Sequence, residues 1–315
     1  MGFIRGWNVE YSIVLPVYNE QDNILPLYQE LTPVLHSLGH PYEIIFVDDG
    51  STDHTFERIR LLAAHDKRLR IVKFRRNFGQ TAALDAGIKH ATGNIIITLD
   101  ADLQNDPKDI PRLLAKMREG YDVVSGWRWK RKDSFFKRFF SRFANRLRRW
   151  LTGETIHDSG CTLKVYKREC FKDITLYGEM HRYIPAILRF KGFRIGELPV
   201  HHRQRKYGTT KYNFKRLFKG FFDLLFIKFW NDFSTRPIHF FGTAATAQFV
   251  LAFVILIEQI IKAFIIRELL LGPLLILSVM LIITGFLTFI FGFLAEIMIR
   301  LYYREKPNYE VEAVY

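Results

Sequence analysis

Cysteine is nearly missing: Cys161 and Cys170 are the two thiols in 315 residues, and no C-x-x-C spacing occurs. That excludes a disulfide framework and a cysteine zinc site as organising devices, and a reducing compartment is expected. Acidic residues are in deficit, 32 Asp and Glu against 46 Lys and Arg, and the resulting charge of +14 implies an anionic partner. Nucleic acid, anionic lipid and a phosphorylated substrate all fit that charge. No G-x-G-x-x-G follows any apolar run, which argues against a nicotinamide or flavin site. Met1 to Glu10 lack the basic stretch and long apolar run of a signal peptide, so the start reads as mature protein.

What is present has a rhythm. Apolar runs of strand length alternate with helix-length amphipathic segments: Tyr11 to Val17, Glu43 to Val47, Arg70 to Phe74, Asn94 to Leu99 and Asp122 to Ser125. This order predicts a parallel α/β sheet, and the unbroken apolarity of Ile44 to Val47 and Ile95 to Ile97 predicts strands covered on both faces. Ligands of such sheets gather at the carboxyl ends of the strands.

The C-terminal part differs. Phe240 to Ile257 and Leu269 to Ala295 carry no charge, which predicts two transmembrane helices joined by a short connector. Two basic, aromatic, helically periodic segments precede them, Phe135 to Arg149 and Phe214 to Trp230. The first fits equally a helix in the membrane interface and one packed on the domain; the second, beside a span, is expected at the interface. The expected layout is a catalytic domain over 1–212, amphipathic interface helices over 213–236, a hairpin over 237–300 with spans at about 240–261 and 269–297, and a cytoplasmic tail over 301–315. Lys215, Arg216, Lys219, Lys228 and Arg236 before the hairpin, with Arg300, Arg304 and Lys306 after it, predict a multi-pass cell-membrane protein whose two ends are cytoplasmic. Lys262 and Arg267 in the connector weaken that asymmetry slightly.

Polar residues crowd the predicted strand ends. The first run leads into Pro16, Tyr18, Asn19 and Glu20, the second into Asp48, Asp49, Gly50 and Ser51. Carboxylates there can accept hydrogen bonds from a base and from ribose hydroxyls, although Asp-Asp-Gly-Ser is also an ordinary turn with a helix cap. The fourth run ends in Asp100, Ala101, Asp102, Leu103 and Gln104. Two carboxylates spaced i and i+2 at a strand end can converge on one hard cation, which in turn neutralises a diphosphate.

The strings LPVYNE, VDDGSTD, RNFGQTAALDAG, DADLQ, DSGCTLKVYKRE and RKYGTTKY, in this order from Leu15 to Tyr212, resemble family 2 glycosyltransferases. Within that family the chain is most similar to the polyprenyl-phosphate group, which contains dolichol-phosphate mannose synthases and polyprenyl-phosphate glucosyltransferases. The resemblance implies a GT-A, Rossmann-like catalytic fold. It implies a nucleotide-sugar held by Pro16, Tyr18, Glu20, Asp48 and Asp49, and a divalent metal, Mg2+ or Mn2+, held by Asp100, Asp102 and Gln104. Arg128 and Arg205 match arginines that hold the acceptor phosphate, with Arg203, Arg131 and Lys211 as helpers. Guanidinium groups suit phosphate because they grip it bidentately. In Asp158-Ser159-Gly160-Cys161 the last position is acidic in certain relatives and a thiol here, which leaves Asp158 as the carboxylate near the donor sugar, or as a loop cap.

The implied activity is inverting, metal-dependent transfer of a hexose, mannose from GDP or glucose from UDP, onto dolichyl or undecaprenyl phosphate at the cytoplasmic membrane face. No dedicated base is expected, because the acceptor is already an anion. Partners are then the donor, the lipid acceptor and the bilayer, with no nucleic acid; a homo-oligomer is compatible with the sequence. Two rival readings exist. A processive polysaccharide synthase would carry Gln-x-x-Arg-Trp, but Arg146 stands three residues before Arg149 where Gln belongs. A nonenzymatic basic module would bind lipid or nucleic acid and have no use for Asp100 and Asp102.

Overall fold

The computed structural model describes residues 9–129, 156–172, 174–176, 178, 180–203, 228–229, 232–233, 236–266 and 272–303. Arg131, Arg205, Lys211, the segment 135–149 and most of 214–230 lie outside these. The chain divides into two compact units, Met1–Leu225 and Phe226–Tyr315, a division inside the stretch expected as interface helices.

The first unit is a seven-stranded sheet in the order β3-β2-β1-β4-β6-β5-β7. Its strands are β1 (Tyr11–Val17), β2 (Tyr42–Asp48), β3 (Leu69–Lys73), β4 (Ile95–Thr98), β5 (Val123–Trp127), β6 (Lys164–Lys167) and β7 (Ile195–Pro199). The five expected strands are present within a residue or two of their boundaries, and β1, β2, β3 and β4 pair in parallel as expected. The wholly parallel sheet is corrected: β6 inserts antiparallel between β4 and β5, and β7 adds parallel to β5. Because β6 runs backwards, its first residue, Lys164, pairs with Thr98 and Ser125 and arrives at the same end of the sheet as the carboxyl ends of β4 and β5.

Helices cover both faces, which is why the strands are apolar throughout. Ile13, Leu15, Ile44 and Phe46 face a core with α1 (Gln21–Ser37), α2 (Thr55–His65) and α4 (Ile110–Met117). Val14, Ile45, Val47 and Ile96 face the other, with α3 (Gln80–His90) and α5 (Ile184–Phe190). In α1, Ile24, Leu27, Leu31 and Leu35 fall on one stripe and are fully buried; each contributes roughly 1.5–3 kcal/mol by leaving water.

The second unit contains α6 (Pro237–Ile266) and α7 (Pro273–Tyr303), each long and apolar enough to cross a membrane. They lie antiparallel: Phe241 packs on Gly292 and Phe249 on Gly285, where a Cβ would come within 2.5 Å of the Phe241 Cβ and 2.8 Å of the Phe249 ring. Gln248 Nε2 donates to Thr288 Oγ1 across the pair. Val250, Phe253, Phe264, Phe291 and Met298 point outward, exposed. A surface this apolar belongs in lipid.

A buried acid ties the far end of the sheet together. Glu43 on β2 accepts from the Ser12 hydroxyl, from Arg70, and from the amide and hydroxyl of Thr92. Burial alone would raise its pKa, but these four bonds reverse the effect and hold the carboxyl below its ordinary value. The stabilisation is therefore complete above the ordinary carboxylate pKa and disappears as pH falls through the lowered one. Glu43→Ala is expected to cost about 3 kcal/mol at neutral pH. In urea titrations carried from neutral toward pH 3, the gap between wild type and variant is expected to close.

Candidate active site

Two turns, at the ends of β1 and β2, are sewn together. The Asn19 amide donates to Ser51 Oγ, while Asn19 Oδ1 accepts from the Thr52 amide. The Glu20 amide donates to Thr55 Oγ1 and the Gln21 amide to Asp53 Oδ2. Asn19 adopts φ +55° to make these bonds, a conformation that asparagine tolerates better than most residues. Pro16, Tyr18 and Glu20 therefore sit beside Asp48 and Asp49, as the sequence implies. Glu20 Oε2 also accepts from Asn23 Nδ2, in the first turn of α1.

The two aspartates of the second turn differ. Asp48 is fully buried; its Oδ1 accepts from the Ser51 amide, and its Oδ2 has no hydrogen-bond partner among the described residues. A buried carboxylate oxygen in that state is an acceptor for an incoming N–H or O–H. Asp49 spends both oxygens on the loop before α3, accepting from the amides of Phe78 at 2.7 Å and Gly79 at 2.9 Å. Burial raises its pKa, opposed by those two amides and reinforced by neighbouring Asp48. Gly50 permits the contact: its φ is +70°, and a Cβ there would lie 2.4 Å from the Arg76 carbonyl carbon.

Asp100 and Asp102 follow β4. Burial pushes the Asp100 carboxyl above the ordinary range, the charge of Asp102 adds to this, and the Thr162 hydroxyl, Arg128 and Lys164 oppose it. Gln80 Nε2 donates to Asp100 Oδ1 at 2.8 Å. Asp102 Oδ1 accepts from the Gln104 amide. Leu103, buried between Asp102 and Gln104, is held at φ +60°, a conformation that costs of the order of 1–3 kcal/mol. The Gln104 side chain reaches the Arg203 carbonyl at 3.5 Å.

Arg128 and Asp158 form one unit. Arg128 Nε and Nη2 donate to Asp158 Oδ2 and Oδ1 at 2.6 and 2.8 Å, with the Arg128 amide adding a third bond. Burial would lower the arginine pKa, yet the paired carboxylate raises it, so the guanidinium stays charged. Arg203 is placed otherwise: its guanidinium pairs with Glu30 and Asp106. Those two carboxylates already balance its charge, and it anchors the segment after β7 to α1. Cys161 lies in the core, and burial raises its thiol pKa to about 11, so it is a packed apolar side chain rather than a nucleophile.

Four groups at this end were not singled out from sequence: Gln80, Thr162, Lys164 and His181. Lys164 is buried, with Nζ donating to the Ser159 carbonyl, and His181 Nδ1 lies 2.7 Å from Thr81 Oγ1. With Pro16 and Asp100, Thr162, Lys164 and His181 line a cavity of 10 Å³, room for about one water. Gln80, Thr162 and Lys164 stand inside the family-like strings with no role assigned to them, and the short strand led by Lys164 gives no strand signal of its own.

Breaking the Arg128–Asp158 pair from one side leaves a buried charge unpaired. Asp158→Ala is expected to destabilise the protein by about 3–5 kcal/mol, and Arg128→Met combined with it to cost less than the sum of the single changes. Urea denaturation of the four proteins measures the coupling, and strict additivity would contradict it.

Comparison with known proteins agrees with this geometry. Residues 12–175 match Glycosyl transferase family 2. The dodecaprenyl-phosphate galacturonate synthase of Rhizobium johnstonii (strain DSM 114642 / LMG 32736 / 3841) is 40% identical over 325 residues, covering 99% of this chain and 96% of that protein. Glucosyl-3-phosphoglycerate synthase of Mycobacterium tuberculosis, solved with Mn2+, uridine diphosphate and phosphoglyceric acid, superposes with a TM-score of 0.54 at 19% identity, over 71% of this chain and 78% of that one. The same enzyme with Mn2+, UDP-glucose and phosphoglyceric acid gives 0.54 at 19%, over 71% and 79%. At such identity the likeness is one of fold, and the fold is GT-A. The chain is a glycosyltransferase and belongs to family 2.

Proposed function

We propose that the protein transfers a hexuronic acid, of the galacturonate type, from a uridine diphosphate donor to polyprenyl phosphate at the cytoplasmic face of a membrane. The observation that carries this is the 40% identity that runs from end to end, through the catalytic unit and both apolar helices, with a dodecaprenyl-phosphate galacturonate synthase. A uronic acid therefore takes precedence over the mannose and glucose expected from motifs alone. The basic flanks of the hairpin support a cytoplasmic catalytic unit.

The residues fit the reaction. Asp48 Oδ2, buried without a partner among the described residues, suits an N–H of the donor's base. Asp100 and Asp102 suit a divalent cation, Mg2+ or Mn2+: a carboxyl whose pKa burial and a neighbouring charge have raised is relieved by a positive ion. Two carboxylates completed by substrate phosphate oxygens are the usual donor set for such a metal, with Gln104 as a further ligand. Asp100 and Asp102 would hold the cation, which would supply charge neutralisation for the departing diphosphate.

Arg128, fixed by its bidentate pair with Asp158 just after β5, would meet the acceptor phosphate by exchanging part of that pairing, and Arg205, outside the described residues, joins it in this reading. The phosphate oxygen attacks the anomeric carbon as the bond to the diphosphate breaks, and the electron pair leaves with the nucleotide. The attacking atom is already an anion, so no side chain has to remove a proton. One displacement inverts the centre, giving a β-linked lipid phosphosugar from an α-linked donor.

The test is mass analysis of lipid products after incubating full-length protein with Mn2+ or Mg2+, undecaprenyl phosphate and, separately, UDP-galacturonate, UDP-glucose and GDP-mannose. UDP-galacturonate is expected to be preferred by about tenfold or more, and Asp100→Asn or Asp102→Asn to reduce its use by about 10²–10³-fold. Preferred use of glucose or mannose would overturn the sugar, and full activity of either variant would remove the metal role.

A further inference from the structure

We propose that Gln80 is a positioning residue for the metal–diphosphate site: its side-chain amide fixes the Asp100 carboxylate so that one oxygen is occupied and the other is presented to the cation. The inference rests on the reading of Asp100 and Asp102 as metal ligands.

The chain leading to Gln80 is held at every step. Asp49 grips the amides of Phe78 and Gly79 with its two oxygens. Gly50 lets the backbone of the Asp-Asp-Gly turn lie directly on Arg76 and Asn77, where a Cβ would come within 2.4–2.8 Å of main-chain atoms. Gly79 turns the chain at φ +96°, and α3 begins with Gln80. The loop cannot shift without breaking two hydrogen bonds to a buried carboxylate, so the first residue of α3 is delivered to a fixed place. There Gln80, half-buried, donates at 2.8 Å to a carboxylate twenty positions ahead in sequence.

Asp100 needs such a partner more than an ordinary surface acid does. Asp102 stands two positions on with a like charge, so the Asp100 carboxylate keeps its orientation through donors to its own oxygens. A neutral amide N–H is suited to holding it, because it stabilises the charge without supplying a competing one. A lysine in the same place would compete with the metal, and a carboxylate would repel Asp100. The hydrogen bond also blocks one oxygen, which defines the face open to a ligand. Thr162, near the same carboxyl, has its hydroxyl held by Asn105 Nδ2 at 3.0 Å.

The test compares wild type with Gln80→Leu, which keeps the volume and removes the donor, and with Gln80→Met as a second, unbranched replacement. Mn2+ binding at saturating uridine diphosphate is read by electron paramagnetic resonance, and uridine diphosphate binding without metal by calorimetry. Both variants are expected to bind Mn2+ roughly 10–100-fold more weakly, to keep metal-free nucleotide binding and the wild-type Tm, and to regain turnover in excess Mn2+. If wild type shows Mn2+-strengthened nucleotide binding and the variants match it, the positioning role falls and the metal site stands. If wild type shows none, both fall. Equal loss of metal-free nucleotide binding or a large drop in Tm in both variants would make Gln80 a structural residue and also overturn the proposal.

Discussion

Asp100 and Asp102 set two negative charges, with one residue between them, at the end of β4, and both are half-buried. Their repulsion, added to burial, works against ionisation of Asp100, and the surroundings respond to that cost. Gln80 donates to the carboxyl, and Thr162, Lys164 and Arg128 lie close enough to oppose the shift. The antiparallel strand β6 has a reason here: entering the sheet backwards, it carries Thr162 and Lys164 to the end where the charge sits. A parallel strand in that slot would bring its last residues there instead.

The same end of the sheet is divided among unlike tasks by the local bonding of similar side chains. Asp48 keeps one buried oxygen without a partner among the described residues, Asp49 gives both of its oxygens to backbone, and Asp158 gives both to Arg128. The first arrangement suits recognition, the second loop shape, and the third the immobilisation of a cation. In the second unit, close glycine contacts and the Gln248–Thr288 hydrogen bond help hold the two apolar helices together, a packing that works in lipid because it does not depend on excluding water.

Much of this was legible in the sequence, for identifiable reasons. Strands β1, β2 and β4 are unbroken apolar runs that lead into acidic turns, and composition points to covered strands. The two apolar helices announce themselves by the absence of charge. Asp48, Asp100 and Asp102 stand at strand ends, where a parallel sheet gathers its chemistry. The strand β6 was not legible: Lys164 to Lys167 is a four-residue run bracketed by lysines, and its place depends on pairing with residues more than sixty positions earlier. Arg203 reads as a phosphate ligand among its basic neighbours, whereas only the folded chain brings Glu30 and Asp106 against it. Arg128 and Asp158 carry separate expectations in the sequence and form one hydrogen-bonded ion pair in space.

The central claim is that the strand-end carboxylates exist to hold a cation against a nucleotide diphosphate. Anomalous scattering from a crystal of the full chain grown with Mn2+ and uridine diphosphate tests it most directly. The account predicts a manganese peak shared by Asp100, Asp102 and the diphosphate oxygens, with the base at Asp48. Nucleotide bound with no manganese at those carboxylates, or manganese held elsewhere on the chain, would contradict it.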